Sequence, residues 1–192
     1  MNRGASPDFS AKTDLYSVCS RLIIVSVMAT VYLSLGSNKG DRAQYIARAI
    51  EALGANGIKV MRQSSLYETE PVETISRSWF LNCVAEVEAE LLPPQLMHTL
   101  LDIERSLGRR RRVPRGPRFI DIDILFYEDR VVSTEQLEIP HPRLTERRFV
   151  LVPFAEIASA ARHPVFKKTV AELLAETQDR SEVRPYQNKP TK

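Results

Sequence analysis

From Phe80 to Leu91 the side chains alternate cleanly, with Leu81, Cys83, Ala85, Val87 and Ala89 on one face and Phe80, Asn82, Val84, Glu86 and Glu88 on the other. A period of two belongs to a β-strand, and a face made only of small and apolar residues has to be covered by another layer. The chain is thereby committed to a sheet with a packed face. Phe80 and Asn82 point the same way near one end of that strand.

The neighbouring segments read as the rest of a mixed α and β domain. Thr30 to Leu35 is a short apolar strand running into the turn cluster Gly36-Ser37-Asn38-Lys39-Gly40-Asp41. Asp41 is placed to cap a helix in which Ile46, Ala49, Ile50 and Leu53 recur at helical spacing until Gly54. The glycine loop lacks the Gly-Lys-Ser/Thr of a P-loop and the spacing of a dinucleotide fingerprint. Ile58 to Tyr67 predicts a second strand, and the polar, proline-containing Glu68 to Ser78 a loop. Pro93-Pro94 opens a helix with Leu96, Leu100, Ile103 and Leu107 as its buried stripe and Gly108 as its end. Phe119 to Tyr127 reads as a strand, Phe149 to Ile157 and Thr169 to Glu176 as helices, and Pro185 to Lys192 as a frayed tail.

A chain of 192 residues with 43% hydrophobic and 27% charged content is long enough for one globular domain. The expected organisation is a leader over 1–28, the domain over 29–178 and a tail over 179–192. The most apolar run, Leu22 to Leu35 after Arg21, is shorter than the roughly 20 residues that span a bilayer and contains Ser26, Thr30 and Ser34. A cytoplasmic protein without a membrane segment is expected, with Met28 as an alternative start. Cys19 and Cys83 have no metal-ligand spacing, and Cys83 reads as a small core residue. No internal repeat is visible.

In Ile120-Asp121-Ile122-Asp123-Ile124 the same period of two places both carboxylates on one face. Their Cα atoms are expected about 6.5 to 7 Å apart, a spacing at which two carboxylates share a hard cation or grip two neighbouring ones. A solvated edge strand is the alternative, although Asp is disfavoured in strands. Just before the pair stand Arg109, Arg110, Arg111, Arg112, Arg115 and Arg118, six positive charges in a chain whose net charge is +3. The basicity is therefore local, which favours a polyanionic ligand held in one place over a broad nucleic-acid surface. Arginine forks bind phosphate oxygens bidentately, and magnesium is commonly held by one or two carboxylates plus nucleotide phosphates. A solvated basic loop pairing with the aspartates, and nucleic-acid contact without an aromatic stacking motif, remain the alternatives.

Six blocks follow one another: Tyr32-Leu-Ser-Leu-Gly-Ser-Asn38, Ser65-Leu-Tyr-Glu-Thr-Glu-Pro71, Phe80-Leu-Asn82, Ile103-Glu-Arg-Ser-Leu-Gly-Arg109, Gly116-Pro-Arg-Phe-Ile-Asp-Ile-Asp123, and Pro140-His-Pro142 running on to Arg147-Arg-Phe-Val-Leu151. In this order they resemble the 6-hydroxymethyl-7,8-dihydropterin pyrophosphokinase family, folate-pathway enzymes that make the pterin diphosphate and release AMP. The resemblance covers residues 29 to 177. It implies an α+β fold with a ferredoxin-like core, an antiparallel sheet flanked by helices in three layers, with which the element order is compatible. It also implies two magnesium ions on Asp121 and Asp123 bridging the phosphates of ATP. Arg109 and Arg118 match family arginines that hold phosphates, and His141 and Glu104 match groups that contact ATP. For Glu104 an exposed helix acid, and for His141 a plain turn histidine, are the readings without the family. Thr69, Val72, Phe80, Asn82 and Phe149 match the pterin side, with Arg147 near the hydroxymethyl end and towards ATP. Without the family, Phe80 and Phe149 would be core residues.

Two positions depart from the pattern. Arg115 stands where relatives often carry a tryptophan, the single tryptophan being Trp79, and Leu101 cannot supply the polar contact that relatives make near the base. Nothing resembles an activated nucleophile, so direct in-line transfer by positioning and electrostatics is expected, with small-molecule partners, no nucleic acid and a monomer. The rival readings are an RNA-binding ferredoxin-like module and a metal-dependent phosphate hydrolase.

Overall fold

The computed structural model describes residues 28–72, 78–108 and 116–187. The expected leader up to residue 27, Cys19, Arg109 to Arg112, Arg115 and the last residues of the tail lie outside that range.

The first strand, β1 (Ala29–Ser37), runs into α1 (Arg42–Ala55), whose Asp41 carboxylate accepts the Gln44 N–H at 3.0 Å as an N-cap. Ile46, Ala49 and Leu53 form its buried stripe. The helix passes through Gly54, where the sequence predicts its end. The turn is instead made by Asn56 and by Gly57 at φ +76°, a left-handed conformation that costs glycine little.

The single strand expected over 58–67 is two, β2 (Lys59–Gln63) and β3 (Tyr67–Thr69), both pairing with β4 (Phe80–Ala89). The break at Ser64 is stitched by side-chain bonds. Its hydroxyl accepts the Val84 N–H at 3.0 Å, while the Glu156 carboxylate accepts the Ser65 N–H and the Tyr67 hydroxyl, at 3.0 and 2.9 Å. Next comes α2 (Pro93–Ser106), closed at Gly108 with φ +95°, and then β5 (Asp121–Tyr127). A small hairpin of β6 (Val132–Ser133) and β7 (Glu138–Ile139), too short to show a periodic pattern in the sequence, leads through a cis Ile139–Pro140 peptide and a 3-10 turn (Leu144–Glu146) into α3 (Arg148–Ala158). The last elements are α4 (Val170–Glu176), with a Thr169/Glu172 capping box, and β8 (Val183–Pro185). β8 corrects the expected start of the frayed tail: Pro185 pairs with β3 and the Tyr186 N–H donates to the Leu66 carbonyl at 2.8 Å, while residues 188–192 lie outside the described range.

The strands order β5-β1-β4-β3-β8, antiparallel throughout, with β2 also on β4. One face carries Val31, Leu33, Leu35, Leu81, Cys83, Ala85 and Val87 into a core shared with α1 and α2. The other face puts Tyr32, Val84 and Phe126 against α3 and α4. Helices thus cover both faces in a three-layer, ferredoxin-like α+β arrangement. Cys83 is fully buried, and desolvation pushes its thiol up to about 12. No helix among the described residues is long and apolar enough to cross a membrane.

Candidate active site

α3 and α4 cover only one end of their face of the sheet. At the other end Ser34, Gly36, Asn82, Asp121 and Asp123 floor an open cleft of about 310 Å³, walled by Thr69, Val72 and Phe80 on one side and Arg118, His141, Arg147 and Phe149 on the other.

The two aspartates reach this floor through register. Asp121 lies opposite Gly36 and Asp123 opposite Ser34, so both carboxylates share a face with Asn82 while Ile122 and Ile124 are buried on the helix side. Period two holds only as far as Ile124. A bulge then makes Leu125 the extra residue, turning Phe126 towards α3 and Tyr127 into the other core. Asp121 pairs with the Arg118 guanidinium, their side chains being 15% and 34% exposed.

Arg118 is held by its backbone as well. Its N–H donates to Asn38 Oδ1 at 2.7 Å, and its carbonyl accepts the Asn38 N–H at 3.1 Å. Next to it the Phe119 ring lies 4.9 Å from the Tyr45 ring and 4.5 Å from Lys39 Nζ. The turn cluster after β1 is therefore an anchor for the Gly-Pro-Arg segment, a role not legible in its glycines.

Glu104 is not an exposed helix acid: it is 1% exposed, and its Oε1 accepts the Ile122 N–H at 2.7 Å, between the two aspartates. On an edge strand alternate amides point away from the sheet, and α2 supplies the acceptor for this one.

His141 is tied to β5 by its own N–H, which donates to the Leu125 carbonyl at 3.0 Å. Its Nδ1 accepts the Arg143 N–H at 3.1 Å, so in the neutral ring the proton sits on Nε2, 3.4 Å from the Arg147 guanidinium. Burial, then the neighbouring Arg147, hold its pKa down to about 4, and the ring is neutral at pH 7. Two donors, Nε2–H and the guanidinium, converge there, an arrangement suited to an anionic oxygen.

On the opposite wall Asn82 is 3% exposed and its amide donates to the Thr69 hydroxyl at 2.7 Å, within the β3–β4 pairing. Phe80 and Phe149 are half-buried and line the cleft, so neither is a plain core residue. Arg147 lies over the Phe149 ring at 5.6 Å, and Val72 is 38% exposed at the rim.

Beyond the β5 edge lies a second cavity of about 310 Å³, lined by Met97, Leu100, Leu101 and Glu104 of α2, by residues 134–138 of the hairpin, and again by Asp121, Asp123 and His141. The carboxylate pair and the histidine thus belong to both cavities. Of the residues singled out from sequence, Arg109 lies outside the described range, Glu104 serves the second cavity, and the others meet at the first. Gly36, Asn38 and Arg143 were not singled out, because their contribution is a close approach or a backbone contact. Among the described residues no group of three or more His, Cys, Asp or Glu is arranged to hold a metal ion by itself. The donor set is two carboxylates on a cleft floor beside arginines, which suits a hard cation that takes its other ligands from a bound phosphate and water.

Residues 32–159 match the family model for 7,8-dihydro-6-hydroxymethylpterin-pyrophosphokinase. The 2-amino-4-hydroxy-6-hydroxymethyldihydropteridine pyrophosphokinase of Aquifex aeolicus is 42% identical over 149 residues, covering 78% of this chain and 92% of the relative. That of Methylorubrum extorquens is 48% identical over 132 residues, covering 68% and 84%. The folic acid synthesis protein fol1 of Pneumocystis carinii is 42% identical over 164 residues, which make up 83% of this chain and 22% of that protein. In structure, the wild-type Plasmodium falciparum HPPK-DHPS solved with pteroate superimposes with a TM-score of 0.62 at 17% identity, over 78% of this chain and 44% of that one.

Proposed function

Because the chain belongs to the 7,8-dihydro-6-hydroxymethylpterin-pyrophosphokinase family, we infer that it transfers pyrophosphate from ATP to the hydroxymethyl group of 6-hydroxymethyl-7,8-dihydropterin in folate biosynthesis. The products are AMP and the pterin diphosphate. The observation that carries this reading is that Asp121, Asp123 and His141 line two cavities at once. A group passing between a ligand in each must cross the carboxylate pair.

The cleft over β1 and β4 takes the pterin, with Phe80 and Phe149 against its faces and Asn82 with Thr69 at its polar edge. The cavity across the β5 edge takes the nucleoside of ATP. The triphosphate then lies over Asp121 and Asp123, within reach of Arg118, His141 and Arg147, and Arg109 is assigned to the same phosphates. Two magnesium ions on the aspartates fit the donor set, and when bound they neutralise phosphate charge on the attacking and leaving sides. The chain's own part is orientation. Asn38 fixes the backbone of Arg118, Glu104 fixes the amide between the aspartates, and neutral His141 offers an N–H in place of a second full charge. No side chain is assigned the hydroxyl proton, and no protein-bound intermediate is required.

We place the enzyme in the cytoplasm as a monomer, with the leader over 1–28 outside the catalytic unit. The test is incubation with ATP, magnesium and the hydroxymethyl dihydropterin, followed by assay of AMP. AMP that forms only with the pterin supports the transfer. Inorganic phosphate released without pterin would point to a hydrolase, and salt-sensitive RNA binding with neither product to a nucleic-acid module.

A further inference from the structure

Gly36 is the next-to-last residue of β1 and still paired in the sheet, and its φ is not left-handed, so the backbone does not demand glycine there. It lies directly opposite Asn82 on the face that floors the cleft, and it lines that cleft. A Cβ built on Gly36 would stand 2.5 Å from Asn82 Oδ1 and 3.7 Å from Cγ, with no other heavy atom among its near neighbours. Real Cβ contacts essentially never fall below 3.0 Å. The other end of the amide is held by the Thr69 hydroxyl at 2.7 Å, and Asn82 is 3% exposed. The planar amide is thus held at its nitrogen end by a hydrogen bond to β3, while its oxygen end occupies the space that a side chain on β1 would fill. Glycine within a strand commonly marks such a close approach.

We propose that Gly36 is a positioning residue for substrate selection: its lack of a side chain lets the Asn82 amide lie across β1 in the one orientation that presents its donor and acceptor to the polar edge of a flat heterocycle. Any Cβ at 36 turns the amide, breaks its bond to Thr69 and misaligns its contacts with that edge. The strands themselves need not move, because the obstructed atom is the end of a side chain. The inference rests on the assignment of this cleft to the pterin.

The experiment is a double-mutant cycle of Gly36→Ala and Asn82→Ala, with KM for the hydroxymethyl dihydropterin, KM for ATP and the thermal midpoint measured for each variant. Gly36→Ala is expected to raise the pterin KM about tenfold or more, the scale of one lost buried hydrogen bond, while the ATP KM stays within about twofold. In the Asn82→Ala background the same substitution is expected to add less than about twofold, since the atom it would strike is gone. Full additivity, an unchanged pterin KM, or equal rises in both KM values would overturn the proposal. If Gly36→Ala does not fold, Gly36→Ala/Asn82→Ala must fold and show the pterin KM of Asn82→Ala alone; failure of both to fold would mean that the sheet needs the glycine and would likewise overturn it. A wild-type protein that forms no AMP with the pterin would refute the functional assignment itself, an outcome distinct from any of these.

Discussion

Glu104 ties the helix layer to the strand that carries Asp121 and Asp123 by accepting the Ile122 N–H, a bond whose contribution can be worked out. Its carboxylate is buried and accepts the Ile122 N–H at 2.7 Å. Replacing it by alanine removes a charge-assisted hydrogen bond, which is worth about 1.5 to 3 kcal/mol, and leaves a strand amide without its acceptor, a further cost of about 1 to 3 kcal/mol when water cannot reach it. The second cavity adjoins the residue, so water entry should offset part of the second cost. We expect Glu104→Ala to lose about 3 kcal/mol and Glu104→Gln, which keeps an acceptor, about 1 kcal/mol. At about 2 to 4 °C per kcal/mol for a domain of this size, the alanine variant should melt roughly 6 to 12 °C lower. The assay is urea unfolding of both variants beside the AMP-forming rate under conditions where each is fully folded. Because Ile122 lies between the two aspartates, loss of its anchor should also lower turnover, and glutamine should restore most of it. An alanine variant with near-wild-type stability would show that the bond is not what holds β5 to α2. A folded glutamine variant as inactive as the alanine one would show that the charge, not the anchoring, is what matters.

Asp121→Asn and Asp123→Asn should each fold and lower AMP formation by at least about a hundredfold, the scale for losing one preorganised electrostatic group; substantial residual activity in either would contradict the magnesium assignment. Asn38→Ala should raise the KM for ATP by several-fold by freeing the Arg118 backbone, with Asn38→Asp recovering part of the effect because it keeps the acceptor; an unchanged ATP KM in the alanine variant would remove Asn38 from the phosphate site. His141 titrates at about 4 in the fold against about 6.5 unfolded, so the unfolded chain takes up its proton first as the pH drops. Stability from this group is complete above about pH 6.5 and falls towards pH 4, by up to about 3 kcal/mol at 1.36 kcal/mol per unit, and His141→Gln should flatten that slope in thermal melts at pH 7, 6 and 5.

Local chemistry made much of the chain legible. The alternation in β4 and the stripes of α1 and α2 follow from periodicities that a strand and a helix impose on any one-sided core, and Asp41 and Gly108 mark their boundaries by capping and φ requirements that are equally local. The Asp121-Asp123 pair could be placed on one face for the same reason. What the sequence left open depended on contacts between distant segments. Gly57 rather than Gly54 ends α1, since an isolated glycine does not stop a helix and the chain is closed only where the Asn56 N–H turns back on the Ala52 and Leu53 carbonyls and Gly57 takes a left-handed φ. The break between β2 and β3 is decided by Ser64 and Glu156, which lie 92 residues apart in the chain. β8 has no strand pattern of its own and exists because β3 offers it an edge.

The candidate site divides in the same way. Its residue types were visible from the ordered motifs, because carboxylates, arginines and a histidine declare their chemistry wherever they sit. Their arrangement was not. Only the sheet order brings Gly36, Asn82, Asp121 and Asp123 onto one floor, only the packing of α2 turns Glu104 from a surface acid into an anchor, and only burial beside Arg147 keeps His141 neutral below its ordinary titration range. Sequence determined which groups could act, since that depends on the side chain alone; tertiary structure decided which of them meet and in what charge state, since distance and desolvation are properties of the folded chain.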